Sequence, residues 1–263
     1  ELLLANALGV DRLGLLTEEF EKTVDDQARA TFRDFVKRRG LREPVAYLTG
    51  EKEFYSLPFK VTPVVLTPRP ETEHLVDEAL AAAPKDARVL DLCTGSGNIA
   101  VALAVNLPGA HITAVDICPQ ALDVARENAE LNDVTNRIEF VLGDLCSALP
   151  PDTPPFDVVV SNPPYIAGAE EEGLMDDVRL FEPRIALIDS RSPTGDGLGF
   201  YRTILGEIPG RLAEEGAVIV EVGEKQGALV AKIFEENGFT DISIARDYAK
   251  VPRIVSGRQE KKV

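Results

Sequence analysis

The chain has 263 residues, 44% of them hydrophobic, and a formal net charge of −16 at pH 7. This length allows one large domain, or a core domain with a smaller accessory domain. The acidic balance argues against a protein that follows the phosphate backbone of a nucleic acid, because such a protein needs a basic face.

The sequence indicates a cytoplasmic protein without a membrane anchor. Residues 1–4 lack the basic segment of a secretory signal, and no apolar run reaches the roughly 18 residues that a membrane-spanning helix needs. The three cysteines, Cys93, Cys118 and Cys146, are therefore expected to be reduced. The two histidines show no ligand spacing to them, so we predict no metal site.

Residues 1–50 have the pattern of a helical unit. A helix is predicted over 25–39, because acidic residues begin it and the basic run Lys37-Arg38-Arg39 ends it, as the helix macrodipole favours. Gly40 is its expected stop. A shorter helix is predicted over 44–48.

Residues 51–68 change to a β-type composition with prolines between short apolar segments, which we interpret as a β-hairpin linking two domains. After this hairpin, Pro70 can occupy the first position of a helix, with Glu71 and Glu73 in its acidic first turn.

From residue 88 onwards, apolar strand segments alternate with helical segments. The predicted strands are 88–92, 112–115, 138–142, the segment before Asn162, 217–222, 239–244 and 253–255. The predicted helices are 98–105, 119–131, 198–214 and 226–236. Because strand–helix alternation is typical of βαβ units, we predict an α/β fold with a doubly wound, mainly parallel seven-stranded sheet.

One strand ends in an unusual tip. Residues 158–160 are three consecutive valines, which predicts a strand covered on both faces. Pro163 and Pro164 cannot extend a hydrogen-bond ladder, so the strand stops there and Asn162 is held extended. The tip offers the Asn162 side-chain amide, backbone carbonyls and the ring of Tyr165 at the edge where α/β sheets bind ligands. It suits an amide or amine, whose two N–H groups need two acceptors.

Acidic residues lie at the ends of the first three strands of the alternating region. Asp91 precedes the turn 95–97, Asp116 ends the next strand, and Asp144 follows the third. The turn fits a relaxed dinucleotide fingerprint, but Asp91 would oppose a pyrophosphate. Each aspartate alone could be a helix cap or a turn residue. Together they favour a cation, and S-adenosylmethionine carries a sulfonium and a free ammonium group.

Asp116 is expected to accept ribose hydroxyls and Asp144 an adenine amino group. The predicted cofactor-binding residues are Asp91, Cys93, Thr94, Gly95, Ser96, Gly97, Asp116, Ile117, Asp144, Leu145 and Asn162.

Four motifs together resemble the release-factor glutamine N5-methyltransferase family: Pro68-Arg69-Pro70-Glu71-Thr72-Glu73, Asp91-Leu92-Cys93-Thr94-Gly95-Ser96-Gly97, Ala114-Val115-Asp116-Ile117 and Val160-Ser161-Asn162-Pro163-Pro164-Tyr165-Ile166. The resemblance covers nearly the whole chain. It implies a Rossmann-like class I methyltransferase fold, with S-adenosylmethionine as methyl donor and S-adenosylhomocysteine as product. It also implies that the substrate is the glutamine of a Gly-Gly-Gln loop in peptide-chain release factors, which act in translation termination. Cys93 departs from the pattern, because the family usually has glycine there.

The resemblance also implies roles. Residues 1–50 would recognise the substrate protein, 51–68 would link the domains, and 69–263 would form the methyltransferase domain. The expected catalytic residues are Asn162, Pro163 and Tyr165, and the expected substrate-binding residues are Leu66, Asn162, Pro163, Pro164 and Tyr165. Asn162 and the Pro163 carbonyl would accept the two N–H bonds of the glutamine amide. Tyr165 would pack against the substrate side chain, or it is a partly buried aromatic residue.

Several alternatives stay open at this point. The same chemistry could act on a ribosomal-protein glutamine. An exocyclic amine of a nucleic acid is a second alternative, although that enzyme would need a basic face. A nicotinamide-dependent oxidoreductase would leave Asn162 to Tyr165 unexplained, and a non-enzymatic adaptor would not need the site. We expect a monomer.

Overall fold

The computed structural model describes residues 1–16 and 24–259. The helices are α1 (Leu2–Leu8), α2 (Asp26–Gly40), α3 (Val45–Thr49), α4 (Glu73–Ala82), α5 (Asn98–Asn106), α6 (Pro119–Leu131), α7 (Asp176–Phe181), α8 (Arg184–Leu187), α9 (Gly199–Glu207) and α10 (Gly227–Glu236). The strands are β1 (Glu51–Phe54), β2 (Leu57–Lys60), β3 (Arg88–Leu92), β4 (His111–Asp116), β5 (Ile138–Leu142), β6 (Phe156–Ser161), β7 (Leu212–Glu221), β8 (Phe239–Arg246) and β9 (Pro252–Gln259).

Seven strands form one sheet in the order β5-β4-β3-β6-β7-β9-β8. The pairs from β5 to β7 are parallel, and β9 pairs antiparallel with both β7 and β8. The predicted doubly wound, mainly parallel sheet is therefore confirmed. The strand order reverses between β3 and β6, and ligands of such sheets bind at this reversal, outside the carboxyl ends of the strands.

The valine run of β6 shows why the sheet is buried on both faces. Val158 and Val160 pack into the apolar cluster that also contains α4 and α5 residues. Val159 points the other way, into the cluster formed with α9 and α10. All three are fully buried. The period of two along a strand thus divides consecutive valines between two cores, which fixes the direction of the strand and of the tip that follows it.

The helix predicted over 198–214 is wrong at its carboxyl end. Helix α9 stops at Glu207, a short 3-10 helix follows, and β7 already begins at Leu212. Pro209 lacks the N–H that would continue the helix. Leu212 is buried and pairs with Phe156 of β6, so pairing with the sheet decides the conformation of this segment.

The expected stop of α2 is also wrong. Asp25 caps the start by accepting from the Ala28 N–H at 2.7 Å, but Gly40 lies inside the helix and the left-handed residue is Arg42, with φ of 74°. The side chain of Arg38 binds the Glu43 carboxylate through two nitrogens, at 2.5 and 2.8 Å. This ion pair holds the turn that follows the helix.

The β-type segment after residue 50 contains a two-stranded antiparallel sheet of β1 and β2, which ends at Lys60. Phe54 and Phe59 of these strands are buried against the core below α4, with ring centroids 5.9 Å apart. Residues 61–68 continue without strand pairing. The Tyr47 hydroxyl donates to the Val65 carbonyl at 2.6 Å, and so ties α3 to this connection.

Within residues 1–16 and 24–259, no helix has the length and apolar character to cross a membrane. The same residues contain no cluster of metal-ligating side chains, and the three cysteines are free thiols.

Candidate functional site

A cleft opens at the carboxyl ends of β3, β4 and β6, where the strand order reverses. The predicted site residues that line it are Leu66, Cys93, Thr94, Gly95, Ser96, Asp116, Ile117, Asp144, Leu145, Asn162 and Pro164. Four predicted residues do not line it. Asp91, Gly97 and Pro163 are buried residues next to the lining residues along the chain, and Tyr165 lines a smaller neighbouring cavity.

The turn between β3 and α5 forms the floor of the cleft. Gly97 has φ of 76°, and a Cβ there would lie 2.9 Å from the Cβ of Ala125 on α6. Position 97 therefore requires glycine on both conformational and steric grounds. Cys93 and Gly95 are also left-handed, with φ of 61° and 55°. The turn is tied to the neighbouring strand, because the Thr94 N–H donates to the Val115 carbonyl at 3.1 Å.

Cys93 occupies a backbone conformation that favours glycine. A left-handed non-glycine residue costs roughly 1–2 kcal/mol. The Cys93 side chain packs against the apolar cluster below α9. Burial, followed by the charge of Asp116, raises the pKa of the thiol. The sulfur is therefore a neutral packing atom rather than a nucleophile.

Asp116 lines the cleft and holds the floor in place. Its Oδ2 accepts from the Gly95 N–H at 2.8 Å, and its Oδ1 accepts from the Cys118 N–H at 2.9 Å. Burial raises the pKa of this carboxyl, and the two backbone donors oppose the rise. A carboxylate has about four acceptor positions, so two remain for hydroxyl groups of a ligand.

Asp91 lies beneath the same turn and is fully buried. Its Oδ2 accepts from the Thr94 hydroxyl at 2.6 Å. Its Oδ1 has no hydrogen-bond partner within the described part of the chain. Burial raises the pKa of Asp91 to about 7, and the Thr94 hydroxyl and the nearby Ala100 N–H oppose this rise. An unpaired buried carboxylate oxygen is costly, and a cation above the floor would offset that cost.

Asp144 is less available to accept a hydrogen bond from a ligand than the sequence suggests. Its carboxylate forms an ion pair with Arg191, whose guanidinium also lies over the Phe200 ring, 4.8 Å from the centroid. Arg191 and Phe200 both line the cleft, and sequence reasoning missed them. Arg191 lies in an irregular loop, where no periodic pattern marks it, and Phe200 resembles an ordinary residue of the α9 pattern.

The Asn162 tip is held from both ends. Before the tip, the Ser161 hydroxyl donates to the Leu92 carbonyl at 2.8 Å, which joins β6 to β3. After the tip, the side-chain amide of Gln226 donates to the Tyr165 carbonyl at 2.9 Å. The Gln226 Oε1 accepts from the Gly223 N–H at 3.0 Å, which fixes the orientation of that amide.

Asn162 itself is positioned by a chain of side chains. Its Nδ2 donates to Thr72 Oγ1 at 3.3 Å, and the Thr72 hydroxyl donates to Glu221 Oε2 at 2.5 Å. Thr72 and Glu221 are buried, whereas Asn162 is partly exposed at the cleft. Burial raises the pKa of Glu221 to about 7. This arrangement uses Asn162 Nδ2 and leaves Oδ1 as an acceptor on a residue that lines both the cleft and the small cavity beside it.

Tyr165 packs mainly as an aromatic residue. Its ring is half-buried against the cluster below α9 and α10. It lines a small cavity together with Leu66, Arg69 and Asn162. Burial, followed by the charge of Glu221, raises the pKa of Tyr165 to about 12. The phenol is therefore neutral near pH 7 and does not act as a base.

The outer wall of the cleft is fixed by a partly buried ion pair. Arg69 Nη2 lies 2.7 Å from both oxygens of Glu182, whose side chain is almost completely buried. Leu66 and Pro68 line the cleft just before Arg69. The pair therefore holds the connection after the hairpin against the segment that follows α7.

Comparison with known proteins gives the same assignment over almost the whole length. Residues 71–179 match the family model of the Methyltransferase small domain, and residues 1–50 match that of the PrmC N-terminal domain. The release factor glutamine methyltransferase of Geobacter sulfurreducens is 44% identical over 98% of this chain and 88% of its own length. That of Neisseria gonorrhoeae is 43% identical over 95% of this chain and 89% of its own length.

A solved structure supports the fold. A methyltransferase from Pyrococcus furiosus matches 86% of this chain and 98% of its own chain, with a TM-score of 0.59 and 16% identity. The two release factor glutamine methyltransferases match nearly the whole chain, including the segments that form the cleft. The chain belongs to the family of release factor glutamine methyltransferases.

Proposed function

We propose that this enzyme transfers a methyl group from S-adenosylmethionine to the side-chain amide nitrogen, N5, of the glutamine in the Gly-Gly-Gln loop of peptide-chain release factors. The observation that carries the proposal is the Asn162 tip. Its Nδ2 is already bound to Thr72, so its oxygen remains to accept an N–H beside the cleft.

The residues of the cleft floor fit this cofactor. Asp116 retains acceptor positions for ribose hydroxyls, and the glycine turn allows close approach of a ligand to the backbone. The unpaired oxygen of Asp91 lies near the charge of Asp116, and the two carboxyl groups together favour a cation. When bound, S-adenosylmethionine supplies an electrophilic methyl group on a sulfonium. Asp144 and Arg191 would border the adenosine end.

The enzyme's task is to make a weak nucleophile react. The nitrogen of a carboxamide is a poor nucleophile because its lone pair is delocalised into the carbonyl group. Asn162 Oδ1 and the Pro163 carbonyl would accept its two N–H bonds, which orients the nitrogen and stabilises positive charge developing on it. One N–H proton then passes from the methylated nitrogen to solvent water. This step needs no strong base, in agreement with the neutral phenol of Tyr165.

We assign recognition of the release factor to residues 1–50, with 51–68 as the linker and 69–263 as the methyltransferase domain. A wide groove borders α1, α3, β1 and α7, and Thr67 and Arg69 line both this groove and the cleft. A protein bound in the groove would therefore reach the wall beside Asn162. Exposed apolar residues at its rim, such as Met175, suit contact with a protein.

We further propose that the enzyme acts as a monomer in the cytoplasm and without binding nucleic acid directly. The net charge of −16 supports the absence of nucleic-acid binding.

Mass spectrometry tests the proposed function. The purified enzyme is incubated with S-adenosylmethionine and a release factor, and the loop peptide is sequenced. One added methyl group on the loop glutamine is expected, and none on a release factor in which that glutamine is replaced by asparagine. Methylation of ribosomal proteins or nucleic acid, with an unmodified release factor, would overturn the proposal.

A further inference from the structure

We propose that Thr72 and Glu221 are positioning residues that fix which way the Asn162 amide points. In this arrangement the Thr72 hydroxyl donates its one hydrogen bond to an ionised Glu221, and Thr72 therefore accepts the N–H of Asn162. The inference rests on the proposed function, because it explains how Asn162 presents oxygen rather than nitrogen to an amide substrate.

The three residues converge from distant parts of the chain. Thr72 ends the short 3-10 helix Pro70–Thr72, Asn162 follows β6, and Glu221 is the last residue of β7. The Glu221 Oε2 lies 2.5 Å from Thr72 Oγ1, which lies 3.3 Å from Asn162 Nδ2. Thr72 is 1% and Glu221 3% exposed, so water does not compete for their hydrogen bonds.

A hydroxyl has one proton and two lone pairs. When the Thr72 hydroxyl donates its hydrogen bond to the Glu221 carboxylate, only its lone pairs are left to interact with Asn162. An asparagine side chain can turn by 180° at little steric cost, because its nitrogen and oxygen have similar size. The Thr72 lone pairs select the orientation with nitrogen inward. The Asn162 oxygen is then directed to the cleft, where it can accept from the substrate.

Protonation of Glu221 would remove the preference for the Asn162 orientation with its nitrogen inward. A protonated carboxyl can donate to Thr72, and the Thr72 proton would then point to Asn162. That proton favours Asn162 with its oxygen inward and its nitrogen toward the cleft. The N–H groups of Asn162 and of the substrate glutamine would face each other, and the substrate would lose one acceptor.

The groups around Glu221 determine the pH at which its carboxylate is protonated. Burial is the largest effect on its pKa, which is about 7; the Thr72 hydrogen bond and Arg253 lower it, Glu71 raises it, and Arg69 lowers it. Tyr165 and Tyr201 also face Glu221, and burial raises the pKa of both phenols, so they stay neutral. Since the proposed orientation needs the carboxylate, methyl transfer should be lost as pH falls through about 7.

The first test compares Thr72→Val with Thr72→Ser on the full-length enzyme and a release factor. Valine keeps the shape of threonine but removes the hydroxyl, so kcat should fall about 10- to 100-fold, the size expected for a misplaced catalytic group. The affinity for S-adenosylmethionine and the KM for the release factor should change less than about threefold. Serine retains the hydroxyl and should restore kcat to within about threefold of wild type.

The second test compares the pH dependence of kcat for wild type and Glu221→Gln. The glutamine variant is isosteric and does not titrate, and its amide, like the protonated carboxyl, can either accept from Thr72 or donate to it. The kcat of the wild type should decrease below pH about 7. The variant should lack this decrease, which is the acid limb of the pH profile. The glutamine variant also keeps the inference testable if Thr72→Val does not fold.

The outcomes separate the two proposals. A folded Thr72→Val enzyme with wild-type kcat, or an acid limb that persists in Glu221→Gln, would overturn the positioning role while leaving the proposed function intact. A wild-type enzyme that does not methylate the release factor would contradict the proposed function instead.

Discussion

The two halves of the cleft are built in different ways. The cofactor half is held by short-range contacts between successive strand ends, such as the bonds of Asp116 to the N–H groups of Gly95 and Cys118. The substrate half is held by side chains far apart in sequence, because Thr72, Glu221 and Gln226 position residues 162–165. Binding of the cofactor and alignment of the substrate are thus supported by separate sets of residues, and variants should affect one without the other.

The largest expected effect is on the substrate half. Asn162→Ala should lower the methyl-transfer rate about 100- to 1,000-fold, because one preorganised partner of the developing charge is lost. Cofactor affinity should remain nearly unchanged, since the floor contacts do not involve this side chain. Single-turnover kinetics and calorimetry measure the two quantities. A variant with near wild-type rate would show that the tip does not clamp the amide.

The next effect is on the cofactor half. Asp116→Ala should weaken S-adenosylmethionine binding by roughly 1.5–3 kcal/mol, the value of hydrogen bonds to a charged group. At saturating cofactor, the transfer rate should fall much less than in Asn162→Ala. Calorimetric titration checks the affinity. Unchanged affinity would mean that Asp116 only caps the turn.

These two halves also differ in how well the sequence predicts them. The acidic strand ends and the glycine turn are contiguous motifs, and the structure places Asp116, Asp144 and residues 93–96 along one cleft. Glu221 resembles an ordinary end of a buried strand, and Thr72 resembles a residue at a helix start. Only the tertiary fold brings them to Asn162, so no local pattern could reveal them.

The bounds of the strands also show what a local sequence pattern can and cannot predict. Strands with a clear apolar pattern, such as β3 and β5, begin and end where the pattern predicts. The start of β7 was missed because residues 212–216 carry two glutamates, which do not mark a strand. Pairing of Leu212 with Phe156 determines that start, and such pairing is a property of the sheet rather than of the segment.

A smaller effect is expected in the groove. Met175 lies at the rim of the groove and is 71% exposed. If this residue contacts an intact release factor, Met175→Glu should weaken the binding of that protein by roughly 1–2 kcal/mol. Binding of a short Gly-Gly-Gln peptide should be unaffected, because the peptide does not reach the groove.

Leu131→Glu provides the matched control for this variant, because Leu131 is also exposed and lines neither the groove nor the cleft. Equal affinities of the Met175→Glu, Leu131→Glu and wild-type enzymes for the intact release factor would place its binding surface elsewhere.

The smallest effect concerns the strained residue of the floor. Cys93→Ala keeps a Cβ at φ of 61° and loses the packing of the sulfur, so it should lower the free energy of unfolding. Cys93→Gly removes the left-handed strain and should be about 1 kcal/mol more stable than the alanine variant. Chemical denaturation measures both. A glycine variant less stable than the alanine variant would contradict the assigned strain.

The most direct test of the division between the two halves is the Asn162→Asp variant, measured for cofactor affinity and single-turnover rate in the same preparation. Aspartate keeps an oxygen acceptor but loses the N–H that Thr72 binds, and it adds a negative charge near the cationic cofactor. We predict equal or tighter binding of S-adenosylmethionine together with a reduced rate of methyl transfer. A wild-type rate, or a rate that falls only in proportion to weakened cofactor binding, would contradict separate alignment of the substrate by Asn162.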